Sequence, residues 1–371
     1  MGTQFTTVFL CGDVMTGRGI DQILAHPSGP RLYEPAVDDA RQYVTVAEAT
    51  HGAIPRAVPP AYVWGDALSE LQRATPDVRV INLETAITRS GDYCRDKEIH
   101  YRMHPANVSC LTAAGVDIAV LANNHVLDWG TAGLIETIEA LTAAGIKVAG
   151  AGRNLPAARR PACIGLDGAA RLIVFGFGSP TSGIPPSWAA TERDAGLDML
   201  VGPPEPTAAT IADRVAAVKR PGDLVIASIH WGSNWGYDVP TSFVRFAHGL
   251  VEAGVDVVHG HSSHHVRPIE VYRNRLILYG CGDFLNDYEG ISGYAEFRGD
   301  LALMYFATLN RPSGELIGVR MVPMQIRKLS LHRAAPTDAH WLADTIARIS
   351  APFRSAIERS ADGGLLLRWT S

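Results

Sequence analysis

Several apolar runs in this 371-residue chain end in side chains that could bind a metal ion or move a proton. Asp13, Glu84, Asn124 with its neighbour His125, and His230 each stand at or just beyond the end of a separate predicted strand. That is where open α/β sheets gather their sites. A further stretch, HGHSSHH, holds His259, His261, His264 and His265 within seven residues. A single histidine at a strand end is more often a satisfied structural residue than a ligand. Four in seven residues, downstream of carboxylate and amide donors at other strand ends, favour a ligand set. Carboxylate, amide oxygen and imidazole together suit a divalent ion: zinc, manganese or iron, or magnesium or calcium where oxygen donors dominate.

The elements that must position these residues follow from periodicity. Short apolar runs read as buried strands ending at Gly12, Leu83, Ala122, Phe177, Ile229 and Gly260. Helical patterns lie between them, from Ala132 to Ala144, Ala208 to Lys219 and Phe243 to Ala253, closed by glycine or proline. The alternation predicts an α/β fold. Two runs joined only by Arg273 and Asn274 predict a hairpin, so the sheets should be mixed. Residues 26–60 are proline-rich and aperiodic, which predicts an inserted surface loop with at most a short helix, long enough to serve as a lid. Beyond Phe297, strand-like runs and a helix from about Thr337 to Arg359 predict an added α+β layer. We expect one catalytic domain over residues 1–325, with residues 326–371 packed on it as an extension.

Composition narrows the function. There are 33 Lys and Arg against 38 Asp and Glu, a formal charge of −5, which excludes nucleic-acid binding driven by counterion release. With 47% hydrophobic and 19% charged residues the chain can bury a large core. The amino-terminal run follows no basic residue and is only strand-length, so it does not read as a signal peptide. No stretch approaches the roughly 18 apolar residues that span a bilayer, so we expect no membrane anchor and a cytoplasmic protein. The five cysteines are odd in number and widely spaced, with no C-x-x-C, which predicts reduced thiols and no thiolate zinc cage.

At its polar strand ends the sequence resembles the CapA-like branch of the calcineurin-like metallophosphoesterase superfamily. The matching segments are CGDVMTGRGID from Cys11, INLETAIT from Ile81, LANNHVLDWG from Leu121, IHWGSNWGY from Ile229 and GHSSHHVRPIEVY from Gly260. The resemblance spans roughly residues 6–310 and implies a metallophosphatase-like α/β/β/α sandwich with mixed sheets. It implies one or two divalent ions per chain. Asp13 would be the first metal carboxylate and Glu84 the bridging one, in place of the superfamily's bridging aspartate. Asn124, His230 and His261 would hold the second ion, and His264 would return to the first. His125 resembles the general acid. Asp128 reads equally as its orienting partner or as the N-cap of the following helix.

One departure bears on the reaction. The superfamily opens with D-x-H, whereas Met15 stands two residues after Asp13, so the first site lacks an imidazole. That undermines the two-ion clamp of phosphoryl transfer. Histidines that ligation need not use, His125 and His265 and also His230 where it is not spent on the second ion, could instead move protons. CapA-like proteins are known as peptide epimerases in lasso-peptide biosynthesis. The expectation is therefore a metal-dependent enzyme acting on a peptide or amide, by Cα epimerisation or amide hydrolysis. The alternatives are a phosphoesterase and a non-catalytic polyglutamate-binding module. The expected partner is a peptide or small-molecule substrate, and nothing in the sequence fixes an oligomeric state.

Other residues carry two readings. Trp231 and Trp235 could wall an apolar substrate group or simply pack. Arg18 could meet a substrate carboxylate or phosphate or form a structural ion pair. Asp283, Asn286 and Asp287 could line the site or serve a turn. Arg102 and His104 precede a turn opened by Pro105.

Overall fold

Strand periodicity sets two packed sheets, visible in a computed structural model that describes residues 4–200, 208–291 and 293–370. In the strand Phe5–Val14, Val8 and Leu10 point into a core shared with Leu172, Val174, Leu224 and Ile226 of the other sheet. Phe9 and Cys11 point the opposite way, into a core with the helices that cover the sheet. In the second sheet Ile173, Phe175, Val225 and Ala227 face the helices Ala208–Val218 and Thr241–Glu252. The result is the expected α/β/β/α sandwich.

Both sheets are mixed. The larger has ten strands, and Phe5–Val14 lies at its centre. This strand pairs parallel with Val78–Leu83 on one side and antiparallel with Leu301–Asn310 on the other. The smaller sheet has six strands, with Arg171–Gly178, Leu224–His230, Val257–His261 and Arg275–Leu278 parallel in that spatial order. Its edge hairpin forms as expected: Arg273 and Asn274 take φ of 49° and 59°, the left-handed pair of a two-residue turn.

Two expectations need correction. The last helix is Pro336–Ser350 and does not continue to Arg359, because Pro352 follows in a tight turn and Arg354 is left-handed. Ser355–Arg359 is instead a strand paired with Leu365–Trp369, which adds to the large sheet through Leu316–Arg327. Residues 26–60 are also more ordered than their prolines suggest. They contain the 11-residue helix Arg41–His51, whose Tyr43, Val44 and Ala47 are buried. Among the described residues no helix is long and apolar enough to cross a membrane.

Candidate metal centre

Asp13 is one residue short of its strand's end, and Glu84 directly follows Val78–Leu83. Asn124 lies beyond Ile118–Val120, while His230 and His261 are the last residues of Leu224–His230 and Val257–His261. The first three come from the large sheet and the last two from the small one. They meet at the carboxyl ends of the parallel strands. Asp13, His230 and His261 each offer a donor atom within 4.8 Å of the others, and all three are buried. His230 Nε2 lies 2.9 Å from Asn124 Oδ1 and 4.0 Å from Glu84 Oε1.

The hydrogen-bond chain through the histidines shows that a cation fits. His259 Nε2 donates to the Cys11 carbonyl at 2.8 Å, and burial pushes this histidine down to about 4, so its Nδ1 is an acceptor. Ser228 lies 3.0 Å from His259 Nδ1 and spends its one proton there, so it accepts from His261 Nε2, also at 3.0 Å. His261 Nδ1 is thereby a bare lone pair, and it faces His230 Nδ1 at 2.9 Å. His230 is held neutral by burial, with His125 and His264 adding to the effect. Whichever tautomer it takes, one lone pair of His230 meets another acceptor at 2.9 Å, either His261 Nδ1 or Asn124 Oδ1. A divalent ion turns that conflict into ligation.

The carboxylates point the same way. Burial first, and then the neighbouring Asp283, raise Asp13 to about 7. Burial and the charge of Asp13 raise Glu84 well above the carboxylate range, and its buried Oε2 has no hydrogen-bond partner. Two adjacent acids in a dry site fit a hard or borderline cation. Asp13 is fixed from outside the set by Asn82 Nδ2 at 2.6 Å and by the Ser262 amide at 3.0 Å. Asn123 in turn donates to Asn82 at 3.1 Å.

Next to the donors stands a second constellation. His125 Nδ1 lies 2.7 Å from Asp128 Oδ2, and its Nε2 lies 3.8 Å from Glu84 Oε1. Asp128 also accepts from the Tyr101 amide at 2.7 Å and from Lys97 Nζ at 2.5 Å. It makes no cap: the helix Gly130–Ala143 begins after Trp129 with no capping side chain, and the Asp128 carboxylate is spent on His125, Lys97 and Tyr101. Lys97, which sequence reasoning missed, comes from an irregular loop and also donates to the Asn124 carbonyl. A matching pair stands nearby, with His264 Nδ1 2.9 Å from Asp283 Oδ1.

The match to known proteins falls on the same residues. A family model described as bacterial capsule synthesis protein PGA_cap matches residues 7–288, which include every donor named above. The chain belongs to the PGA_cap family. This PGA_cap chain is 49% identical over 348 residues to a probable polyglutamine synthesis accessory protein of Mycobacterium tuberculosis, covering 94% of this chain and 92% of that one. It is 27% identical over 256 residues to the PGA biosynthesis protein CapA of Bacillus subtilis, covering 69% and 62%. Among solved structures, a phosphatase from Mycoplasma pneumoniae aligns with a TM-score of 0.46 at 9% identity, over 88% of this chain and 95% of that one.

The PGA_cap site does not gather every residue singled out from sequence. His265 turns away: its Nδ1 bonds the Val266 carbonyl, and its ring stacks on Phe297 at 4.4 Å and beside Trp235 at 5.9 Å. Trp231 is core, stacked 4.7 Å from Phe243 and donating to the Tyr279 carbonyl at 3.0 Å. Arg18 is committed to buried ion pairs with Glu34 at 3.2 Å and Asp287 at 2.5 Å. His104 caps the turn at Pro105, and Arg102 lies over Trp129. Trp235 does line a cleft that reaches His264.

Asp283 carries a sequence signal that strand-end reasoning underused. Cys281-Gly282-Asp283 repeats Cys11-Gly12-Asp13, and the two aspartates pair in parallel register. Gly12 is required there, since a Cβ would sit 1.6 Å from the Gly282 oxygen.

Proposed function

We propose that this chain is a divalent-metal-dependent enzyme acting on a peptide or amide substrate by acid–base chemistry, at the carbonyl or at the α-carbon beside it. The observation that carries the reading is the His125–Asp128 pair set against Glu84 at the donor cluster. Asp13, Glu84, Asn124, His230 and His261 would hold the ion, with His264 alongside through Asp283. When bound, the ion would polarise a carbonyl and stabilise the negative charge that develops on it.

The remaining work falls to the chain's own groups. With Nδ1–H donated to Asp128, His125 presents the lone pair of Nε2 and can take a proton. Burial, and then the charge of Lys97, oppose the imidazolium so formed; Asp128 offsets part of that cost, and Lys97 and the Tyr101 amide keep the carboxylate in place. The His264–Asp283 pair supplies a second imidazole of the same construction. Two such pairs suit a proton exchange that removes a proton at one point and returns it from another, or a hydrolysis that needs both a base and an acid.

Two further observations support an amide over a phosphoester. Met15 is buried where the superfamily resemblance implies a histidine ligand, and its sulfur accepts only a long contact from the Tyr288 hydroxyl at 3.6 Å. The names of the relatives concern polyglutamine and PGA synthesis, and polyglutamine is itself amide-linked. The test is incubation of metal-loaded protein with capped peptides in deuterated water. Deuterium uptake without cleavage supports epimerisation, and cleavage supports hydrolysis. Neither, together with fast turnover of a chromogenic phosphoester, overturns the reading.

A further inference from the structure

A cavity of about 790 Å³ opens beside the centre and reaches it at His264 and Asn286. Its walls are aromatic and aliphatic. Trp235 and Tyr294 stack at 4.3 Å, backed by the parallel ring of His265, while Tyr101, Tyr288 and Ile326 line other parts. Ile291 and Tyr294, 50% and 55% exposed, are the two most exposed large apolar side chains among the described residues, and both lie on this cavity. Two exposed apolar side chains on one aromatic-walled cavity, next to a candidate reacting centre, mark a ligand wall.

The charges at the cavity are equally informative. Arg18 is held by Glu34 and Asp287, and Arg298 by Asp300 and Asp338. His51 is paired with Glu289. The two guanidinium groups thus face four carboxylates, so the lining presents no surplus positive charge to an anionic chain.

Resting on the reading of the centre as an enzyme's, we propose that this cleft selects an uncharged peptide whose residue at the reacting bond carries an aromatic or large aliphatic side chain. That side chain lies against the Trp235–Tyr294 wall, and glutamyl polymers are disfavoured by the carboxylates behind the two arginines. The specificity would therefore run against an anionic glutamyl polymer.

Calorimetric titration of the full chain with acetyl-Gly-Xaa-Gly-amide tests it, with Xaa as Phe, Leu, Ala or Glu, beside tri-γ-glutamate. The expected ranking is Phe, Leu, then Ala, with the Glu peptide and tri-γ-glutamate weakest. A Glu peptide or tri-γ-glutamate that binds as well as the Phe peptide overturns the proposal. Chelated protein should keep the ranking, since a carboxylate could otherwise gain affinity from the ion alone. Trp235→Ala and the more exposed Tyr294→Ala should each weaken the Phe peptide about tenfold and leave the Ala peptide unchanged. Unchanged Phe affinity in both variants, with circular dichroism showing them folded, also overturns it. The deuterium experiment separates the two claims. Exchange or cleavage with the ranking lost sinks only the specificity, whereas the ranking retained without reaction sinks only the enzymatic reading.

Discussion

Lys97 Nζ lies 2.5 Å from Asp128 Oδ1, so the carboxylate that orients His125 is itself held by a cation from a loop 31 residues earlier. On the proposed function Asp128 is a positioning residue, and its loss should alter the tautomer of His125 rather than the metal site. Asp128→Asn should lower kcat by about 10²- to 10⁴-fold, since an amide cannot stabilise the imidazolium. Metal content measured by elemental analysis should stay at the wild-type value. A proportional loss of metal would show that Asp128 acts on the ligands instead.

The buried carboxylates predict opposite pH behaviour for metal-free and metal-loaded protein. Asp13 is raised to about 7 in the folded chain, against about 4 for an unfolded aspartate. A raised carboxyl favours folding while protonated, below the unfolded value, and that contribution fades as pH rises towards the folded one. Metal-free protein should therefore lose stability between about pH 4 and pH 7, with Glu84 extending the trend because it is shifted in the same direction. Bound metal, which prefers ionised ligands, should flatten or reverse the slope. Thermal unfolding across this pH range, with and without chelator, checks it; parallel curves would contradict the assignment of these acids to the metal.

Arg18 should matter to folding more than to substrate. Its ion-pair partners Glu34 and Asp287 have side chains only 2% and 1% exposed, and its guanidinium also packs 3.9 Å from the Tyr43 ring centre. Arg18→Ala would leave two buried carboxylates without their cation, at a cost of about 3–5 kcal/mol. Urea unfolding should show this loss; a variant that unfolds like wild type but no longer binds peptide would restore Arg18 to the substrate.

Met15→His asks whether phosphoester chemistry was lost with one ligand. The wild type should turn over a chromogenic phosphoester slowly or not at all, and the variant should gain metal affinity, activity or both. Phosphatase-level turnover by the wild type would overturn the amide reading.

Much of this was legible in the sequence because parallel strands buried on both faces are short apolar runs, and the residue that ends such a run is the one a sheet presents at its edge. Asp13, Glu84, Asn124, His230 and His261 obey that rule. His265 does not, because it follows a strand rather than ending it and Ser262 is left-handed, so alternation no longer tells which way each ring points. Lys97 was invisible for a related reason: an irregular loop has no period, and its reach to Asp128 depends on how the loop packs. Trp231 follows directly on a strand end but packs as core, since its indole fills the space between the sheet and the helix Thr241–Glu252. The late strand Ser355–Arg359 follows a helical pattern closely enough that only Pro352 marks the break.

Ligands drawn from both sheets would make the proposed ion a rivet through the sandwich. Asp13 and Glu84 belong to one sheet and His230 and His261 to the other, so pulling the sheets apart would dissociate such an ion, and losing it would leave adjacent acids and facing lone pairs at the join. Binding free energy is then folding free energy, worth about 2.7 kcal/mol when free metal exceeds its dissociation constant about a hundredfold. A cell short of that metal would hold less of this protein as well as less of its activity, because the opened sandwich is what proteases cut. Abundance itself would report metal supply.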